Sequence, residues 1–411
     1  MQIGSAQTTK LLNPAVIVAA LGNFVDTYDL VLFGVVRIAS LKDLGYTGEA
    51  LTNEGTFVLD MQMFGMLLGG ILWGVMGDKR GRLSVLFGSI FLYSVANIAN
   101  GFVESIEAYA LWRFIAGIGL AGELGAGITL VTEVMPKERR GYGAMIVAAM
   151  GLLGAVAAGW TAQHLEWRTS YFIGGILGIM LLLLRVSVRE SGMFESVVKH
   201  QKVGRGEFLA LFTDFDRFLR YLKCILMGLP IWYVIGILIV LSPEFGKILG
   251  IKGEINPGTA IMISYGGGAL GDLLSGTLSQ FLKSRLKVMV IFICLDAIIV
   301  ILYHNVHGWS LTSFYAFFFL FGIGGGFWLI LLTISAEQFG TNIRATVTTT
   351  VPNFIRGAFV IVSWLFGTLK MFMDFYYASI TVGVICFGVA LISINGLEET
   401  FGKDMDYTEE L

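Results

Sequence analysis

The residues best placed to do chemistry are ionisable side chains that interrupt long apolar runs: Asp26, Asp29, Arg113, Glu123, Asp272, Asp296 and Arg356. A charge in hydrocarbon is expensive, so such a side chain faces a partner or a wet cavity. Asp26 and Asp29 stand three residues apart and share one face of a helix. Arg113 and Glu123 stand ten apart and fall on nearly one face of another. Counting about 1.5 Å of rise per residue sets Asp26 and Glu123 near the middle of a bilayer, with Asp29 and Arg113 displaced together toward one side. The two faces can thus gather three acids around one arginine. Burial disfavours a charged carboxyl and a neighbouring arginine favours it. A carboxyl that alternates between dry surroundings and Arg113 or water can therefore take up and release a proton. Read the other way, the same residues are a static ion pair that fixes helix packing. Arg356 also falls at mid-depth, level with Asp272, where it would bind an anionic group or pair with Asp272 structurally. Asp296 reads as a helix-packing acid.

The elements that must position these groups follow from the apolar pattern. Of the 411 residues, 55% are hydrophobic and only 14% charged, against about a quarter charged in soluble domains. The apolar runs approach or exceed the ~20 residues that span a bilayer as a helix, and they are continuous rather than alternating, which excludes barrel strands. Helices are predicted at roughly 14–36, 57–76, 84–103, 107–134, 142–161, 169–188, 222–249, 257–280, 287–303, 311–338, 346–369 and 374–396. The polar stretch 189–221 divides six from six, with a short amphipathic helix expected at 207–219 along the membrane surface. The expected class is all-α integral membrane: twelve transmembrane helices in two pseudo-symmetric bundles, 1–188 and 222–411, joined by a cytoplasmic loop at 189–221.

Lys79, Arg80, Arg82, Lys137, Arg139, Arg140, Lys283, Arg285, Lys287 and Arg344 crowd the loops of one side, together with the cations of 189–223. The opposite loops hold Arg37, Lys42, Arg168, Lys247, Lys252 and Lys370. The cation-rich side is expected to be cytoplasmic, with both termini on it. No cleavable signal precedes the first helix. Cys224, Cys294 and Cys386 lie in apolar stretches as small buried hydrophobes. His164, His200, His304 and His307 make no metal-spaced set, with His304 and His307 expected in an outer loop. Neither a metal nor a cofactor nor a nucleic-acid partner is expected. No nucleophile–base pair points to an enzyme, and no Walker-type loop points to an ATP-driven pump.

The halves repeat. Gly74–Arg82 ends helix 2 as Gly276–Arg285 ends helix 8, and Glu133 with Arg139 ends helix 4 as Glu337 with Arg344 ends helix 10. Such parallel halves place a carrier's site between them near the midplane. The segment Gly74-Val-Met-Gly-Asp78-Lys-Arg-Gly-Arg82 resembles the loop between helices 2 and 3 of the major facilitator superfamily. Arg113-Phe-Ile-Ala-Gly117-Ile-Gly119-Leu-Ala-Gly122-Glu123 resembles that superfamily's helix 4 motif. Glu133–Gly141, Glu337–Thr346 and Arg189–Phe194 resemble motifs of its sugar and metabolite porters. Gly22-Asn23-Phe24-Val25-Asp26-Thr27-Tyr28-Asp29 is similar to the helix 1 signature of metabolite:proton symporters and also resembles a stretch of phosphate:proton symporters. The resemblance implies proton coupling by Asp26 or Asp29 with Arg113, joined by Glu123. It implies gating by Asp78, Arg82, Glu133, Arg139, Glu337 and Arg344, with Arg82 bridging to Glu133. Simple topogenic charge is the other reading of the gate residues. Gln280 stands where the first half has Asp78, so the gating network is expected to be weaker or absent in the second half.

Helix 7 places Trp232 and Tyr233 where helix 1 has acids; with Tyr265, Trp328 and Asn353 they could line an amphipathic pocket around Arg356. Gly117, Gly119, Gly122, Gly125 and Gly127 are expected to let helix 4 pack closely, and Gly266–Gly268 to do the same for helix 8. The expected activity is proton-coupled symport of a small polar metabolite (an organic acid, amino acid or zwitterion) by a monomer in the bacterial inner membrane. A proton-driven exporter of amphipathic compounds is the alternative, disfavoured because helix 5 lacks a Gly-x-x-x-Gly-Pro element. Uniport and Na⁺-coupled carriage stay open beside it.

Overall fold

A computed structural model describes residues 14–80, 82–123, 140–185, 208–402 and 407–409, and the side chains of 14–15, 77–83, 140–145, 148, 341 and 345 fall outside that description. Twelve helical passes occur among the described residues. The first six are α1 (Pro14–Asp43), α2 (Gly48–Arg80), α3 (Arg82–Asn100), α4 (Ile106–Leu120), α5 (Arg140–His164) and α6 (Trp167–Arg185). The seventh is interrupted: α7a (Phe215–Leu226), α7b (Leu229–Tyr233), a π turn at Val234–Ile239, and α7c (Ser242–Ile248). Then follow α8 (Pro257–Leu282), α9 (Arg285–His304), α10a (Leu311–Gly324), α10b (Trp328–Glu337), α11 (Thr341–Leu369) and α12 (Phe375–Ile394). Eight of the described helical stretches are long and apolar enough to cross a bilayer by themselves, and the chain is an integral membrane protein.

Helix starts follow ordinary capping chemistry. Ser105, Asp214, Asn256, Ser284 and Ser310 each accept a first-turn N–H. Gly45 and Gly48 turn α1 into α2 at positive φ, where a side chain would be strained. α1 runs on past its expected end to Asp43, because its last turns are buried against the rest of the bundle instead of entering water. The expected surface helix at 207–219 is a 3₁₀ turn at Phe208–Phe212 followed by α7a, which leads directly into the seventh pass.

The break in α10 has a packing cause. α8 and α10 approach through facing glycines: a side chain on Gly267 would meet Phe319, and one on Gly326 would meet Gly271. Backbone contact this close suits glycine alone. Gly267 does what Gly266–Gly268 were expected to do together; Gly266 meets nothing and Gly268 only the edge of Gly322. On α4, Gly117, Gly119 and Gly122 pack against α2, α3 and Trp73 as expected, while Gly125 and Gly127 lie outside the described residues.

The first six helices pack among themselves, above all α1 with α5, α2 with α4, and α3 with α4 and α6. The later helices do likewise, α8 with α10 and α9 with α10 and α12. The two groups meet along α2/α11 and α5/α8, with α1 against α8. That seam is where buried charge collects.

Candidate functional site

Asp29 and Arg113 form a buried ion pair, Arg113 Nη1 donating to Asp29 Oδ1 at 2.9 Å. The rest of the guanidinium is also engaged: Nη1 donates to Asn97 Oδ1 (3.1 Å), Nη2 to the Asp29 carbonyl (3.2 Å) and Nε to Gln62 Oε1 (3.3 Å). Tyr171 lies under its face, 5.5 Å away, and bonds Tyr109 at 2.7 Å. Arg113, on α4, is therefore engaged by α1, α2 and α3, with Tyr171 of α6 under its face.

Glu123 does not share Arg113, contrary to the expected cluster of three acids on one arginine. It pairs with Arg185 at the end of α6, a residue the sequence reading passed over inside the run Leu-Leu-Leu-Leu-Arg. Gly22 on α1 makes room for this pair, since a side chain there would strike both partners. Asp26 is what remains. It is buried, and its Oδ1 has no hydrogen-bond partner among the described residues. Of the charges around it, that of Arg356 on α11 acts most strongly, ahead of Glu123, Asp29 and Arg185.

Arg356 is buried at the seam. Nη1 donates to Asn353 Oδ1 (3.3 Å), its guanidinium lies 5.8 Å from the Trp328 ring, and Tyr265 is within its electrostatic reach. Its Nε has no hydrogen-bond partner among the described residues. Asn353 reaches across the seam to the Ala121 carbonyl at 2.9 Å and caps the Thr349 carbonyl at 2.9 Å, beside the helix-breaking Pro352. Arg356 thus has Tyr265, Trp328 and Asn353 around it, and Arg356 and Tyr265 are within electrostatic reach of Asp26.

Three expectations are corrected. Asp272 does not pair with Arg356: its Oδ1 accepts the Leu329 N–H at 3.4 Å, at the start of α10b. The break in α10 creates that free N–H, and a carboxylate is favoured at a helix N-terminus. Tyr233 turns away from the seam, donating to the Ser379 carbonyl on α12 at 2.9 Å and packing on Phe387. Its neighbour Trp232 is buried with an unpartnered Nε1. The second half, where the network was expected to be weaker or absent, does hold one ion pair at the matching place. Arg285 holds Glu337 through Nε (2.5 Å) and Nη2 (2.7 Å), the counterpart of the expected Arg82–Glu133 bridge. Gln280 is exposed and plays no part in it. Arg344 instead ties the α10b–α11 corner, Nε donating to the carbonyls of Ala336 and Phe339. Glu133 and Arg139 lie outside the described residues, as do the side chains of Asp78 and Arg82.

Smaller corrections concern other groups. His304 ends α9 in the interior, bonded to the Val300 carbonyl and Ser379 Oγ. Cys294 is exposed on the outside of the bundle. Asp296 is wholly buried against Gly324 with neither oxygen hydrogen-bonded among the described residues. Among those residues, no group of acids, histidines and cysteines could hold a metal.

Arg37 is no loop cation either. It is fully buried on α1 and crosses the seam, Nη2 donating to both Glu244 oxygens (2.8 and 3.0 Å) and to the Val240 carbonyl (3.1 Å). Thr52, Asn53, Asp60 and Gln163 of the first group bond Glu244, Lys370, Ser363 and Thr259 of the second. The two groups are joined at their cation-poor ends.

Two helical groups with buried charge along their seam define a two-bundle membrane carrier. The sequence profile of the Major Facilitator Superfamily matches residues 19–351. The chain belongs to that superfamily. Among similar proteins, a putative metabolite transport protein of Haemophilus influenzae is 32% identical over 44% of this chain and 44% of its own length. The niacin transporter NiaP of Acinetobacter baylyi is 28% identical over 42% of this chain and 40% of its own. The chain spans less than half the length of these two relatives. The crystal structure of a D-xylose–proton symporter superposes with a TM-score of 0.70 at 18% identity, covering 95% of this chain and 99% of that one. This likeness is one of fold.

Proposed function

We propose that the protein is a proton-coupled symporter of small carboxylate-bearing metabolites. The observation that carries this reading is that Asp26 and Arg356 lie within electrostatic reach of each other across the seam without an ion pair between them. Each belongs to a different helical group, each is buried, and each keeps a buried polar atom with no hydrogen-bond partner among the described residues. A buried guanidinium without a carboxylate is costly, and an anionic ligand would complete it. Asn353, Trp328 and Tyr265 would hold the ligand's polar and apolar parts. Asp26, the acid left over after Asp29 has taken Arg113 and Glu123 has taken Arg185, is the proton carrier.

On this reading the bundles 1–188 and 222–411 rock about the site. The cation-rich ends face the cytoplasm of a bacterial inner membrane, both termini lie there, and the monomer suffices. The Arg285–Glu337 bridge, with Arg344 bracing the next corner, would close the inner face in alternation with the outer one. Asp78, Arg82, Glu133 and Arg139 would do the same for the first half. The niacin named for one relative is itself a carboxylate, which supports the substrate class.

The test is reconstitution in liposomes holding a pH-sensitive dye, with nicotinate, benzoate, amino acids and betaines supplied outside. Acidification with a carboxylate, lost in Asp26→Asn, is the expected result. Uptake of labelled nicotinate or benzoate without proton movement would overturn the coupling and leave a uniporter or a Na⁺-coupled carrier.

A further inference from the structure

We infer that Arg37 is a second carboxylate-binding site, at the cation-poor mouth, which Glu244 occupies while the halves are closed there and which the substrate's carboxylate takes over as they part. This rests on the reading above that the substrate is an anion entering from that side.

The cradle belongs to one half and its occupant to the other. Arg37 lies on α1 and Thr52 on α2, and both are buried. Glu244, on α7c, is held by Arg37 Nη2 at 2.8 and 3.0 Å and by the Thr52 hydroxyl at 3.1 Å. When the bundles separate, Arg37 and Thr52 stay together and the carboxylate leaves. The guanidinium is also fixed in place beforehand. Gly55 on α2 clears a slot for its stem, a side chain there falling 2.8 Å from Arg37 Cδ, and Leu41 lines the same slot.

Glu244 uses only one corner of the guanidinium. Nε and Nη1 are buried and have no hydrogen-bond partner among the described residues. Each of these groups can donate to a carboxylate oxygen, and Nε–H lies beside the Nη2 corner that Glu244 holds. An incoming carboxylate can therefore take a first bond from Nε or Nη1 before Glu244 releases Nη2, and then the two parallel bonds of a fork once it has. The exchange never leaves a bare cation in a dry site, which is the costly alternative. Lys370 adds a second cation at the same mouth: its Nζ donates to Asn53 Oδ1 at 3.0 Å, and it interacts with Glu49 and Glu244. Opening at this end is thus tied to arrival of an anion, and Glu244 acts as a tethered competitor for it.

The test places spin labels at Lys42→Cys and Lys247→Cys, both exposed on opposite sides of this seam, with the native cysteines changed to alanine. Their separation is measured in nanodiscs against benzoate concentration. In Glu244→Gln the labels move apart, and half-maximal opening needs roughly tenfold less benzoate or lower still, as expected when a tethered competitor is removed. Thr52→Val shifts the curve the same way by less. Arg37→Gln opens without benzoate and does not respond to it. Equal benzoate dependence in wild type and Glu244→Gln overturns the proposal, as does a benzoate response that survives in Arg37→Gln. Arg356→Gln serves as the control, losing transport while keeping the mouth response. A mouth response without proton-coupled uptake in any liposome assay sinks the symport reading and leaves this site standing. Proton-coupled uptake with no effect of Glu244→Gln on the labels does the reverse.

Discussion

In the first six helices two buried arginines meet a carboxylate of their own group, Arg113 taking Asp29 and Arg185 taking Glu123, while buried Arg37 crosses to Glu244 of the second group. In the second group Arg356 meets an amide and aromatic rings, Asp272 meets a helix start, and Asp296 meets no donor among the described residues. At Arg113 and Arg185 the first group pairs its charges internally and leaves Asp26 open, and the second carries in Arg356 a cation without an ion-pair partner among the described residues. Closed pairs fix helix positions; open groups are available to exchange partners. On the proposed reading, coupling needs only one group from each half, Asp26 and Arg356.

The contrast is sharpest in transport. Arg356→Gln and Asp26→Asn should each lower proton-driven uptake by roughly 100-fold, the scale expected when one side of a buried charge interaction is removed. Asp26→Asn should differ in kind by retaining exchange of labelled substrate across the membrane while losing accumulation. Wild-type accumulation in Asp26→Asn would assign the proton to Asp29, whose Oδ2 is also unpartnered.

Stability should run the other way. Glu123→Leu or Arg185→Leu strands one buried charge, at a cost of about 3–5 kcal/mol, and should lower the melting temperature clearly in detergent. The double variant should recover most of that loss. Arg356→Leu strands no ion-pair partner within the second bundle, so it should leave the melting temperature unchanged or raise it. A melting loss for Arg356→Leu as large as that for Arg185→Leu would erase the distinction between closed and open charge.

At the inner corner of the second group, Arg285→Gln should cost less than either. The Arg285–Glu337 pair is partly exposed, with side-chain accessibilities of 18% and 12%, so water replaces much of what is lost. Turnover is expected to change by a few-fold (~3-fold) with little change in apparent affinity for nicotinate. A large affinity change would mean that the pair contacts the substrate path and is not a gate brace.

What the sequence could reveal depended on whether the partner was close along the chain. Long apolar runs define the helices whatever they pack against, so the twelve passes and the mid-depth groups Asp26, Asp29, Arg113, Glu123 and Arg356 were legible. So was the grouping of Tyr265, Trp328 and Asn353 with Arg356. Pairings were legible only in part: Asp26 or Asp29 with Arg113 was expected and Asp29 pairs with it, but Glu123 with Arg185, 62 residues apart on another helix, was not. Arg37 was misread because the polar end of α1 looks like a loop, although the helix continues to Asp43. Asp272 was given the wrong partner because nothing in the pattern 311–338 announces a free helix start; Gly324-Gly325-Gly326 was the available signal. Adjacent residues on a helix point in different directions, which is reason enough for Trp232 and Tyr233 not to line one pocket together.

The smallest effect belongs to the C-terminal segment of the second group, where a charge is held on the surface. Partial burial pushes the Glu399 carboxyl up, but bonds from the Ser284 hydroxyl and from the N–H groups of Arg285, Phe401 and Leu286 outweigh it and hold the group below its ordinary value. Such an acid stabilises the fold in its charged form. Its contribution is complete above the unfolded carboxyl value, about 4.3, and is lost as pH falls through the depressed folded value. Glu399 caps the start of α9, so Glu399→Gln should melt slightly below wild type at pH 7. The gap should narrow as pH falls below about 4.3, because wild type alone loses a charged cap there. A gap that stays constant down to pH 3 would show that the cap works through its shape and neutral hydrogen bonds, and that even this exposed charge of the second group is not fixed in the way those of the first group are.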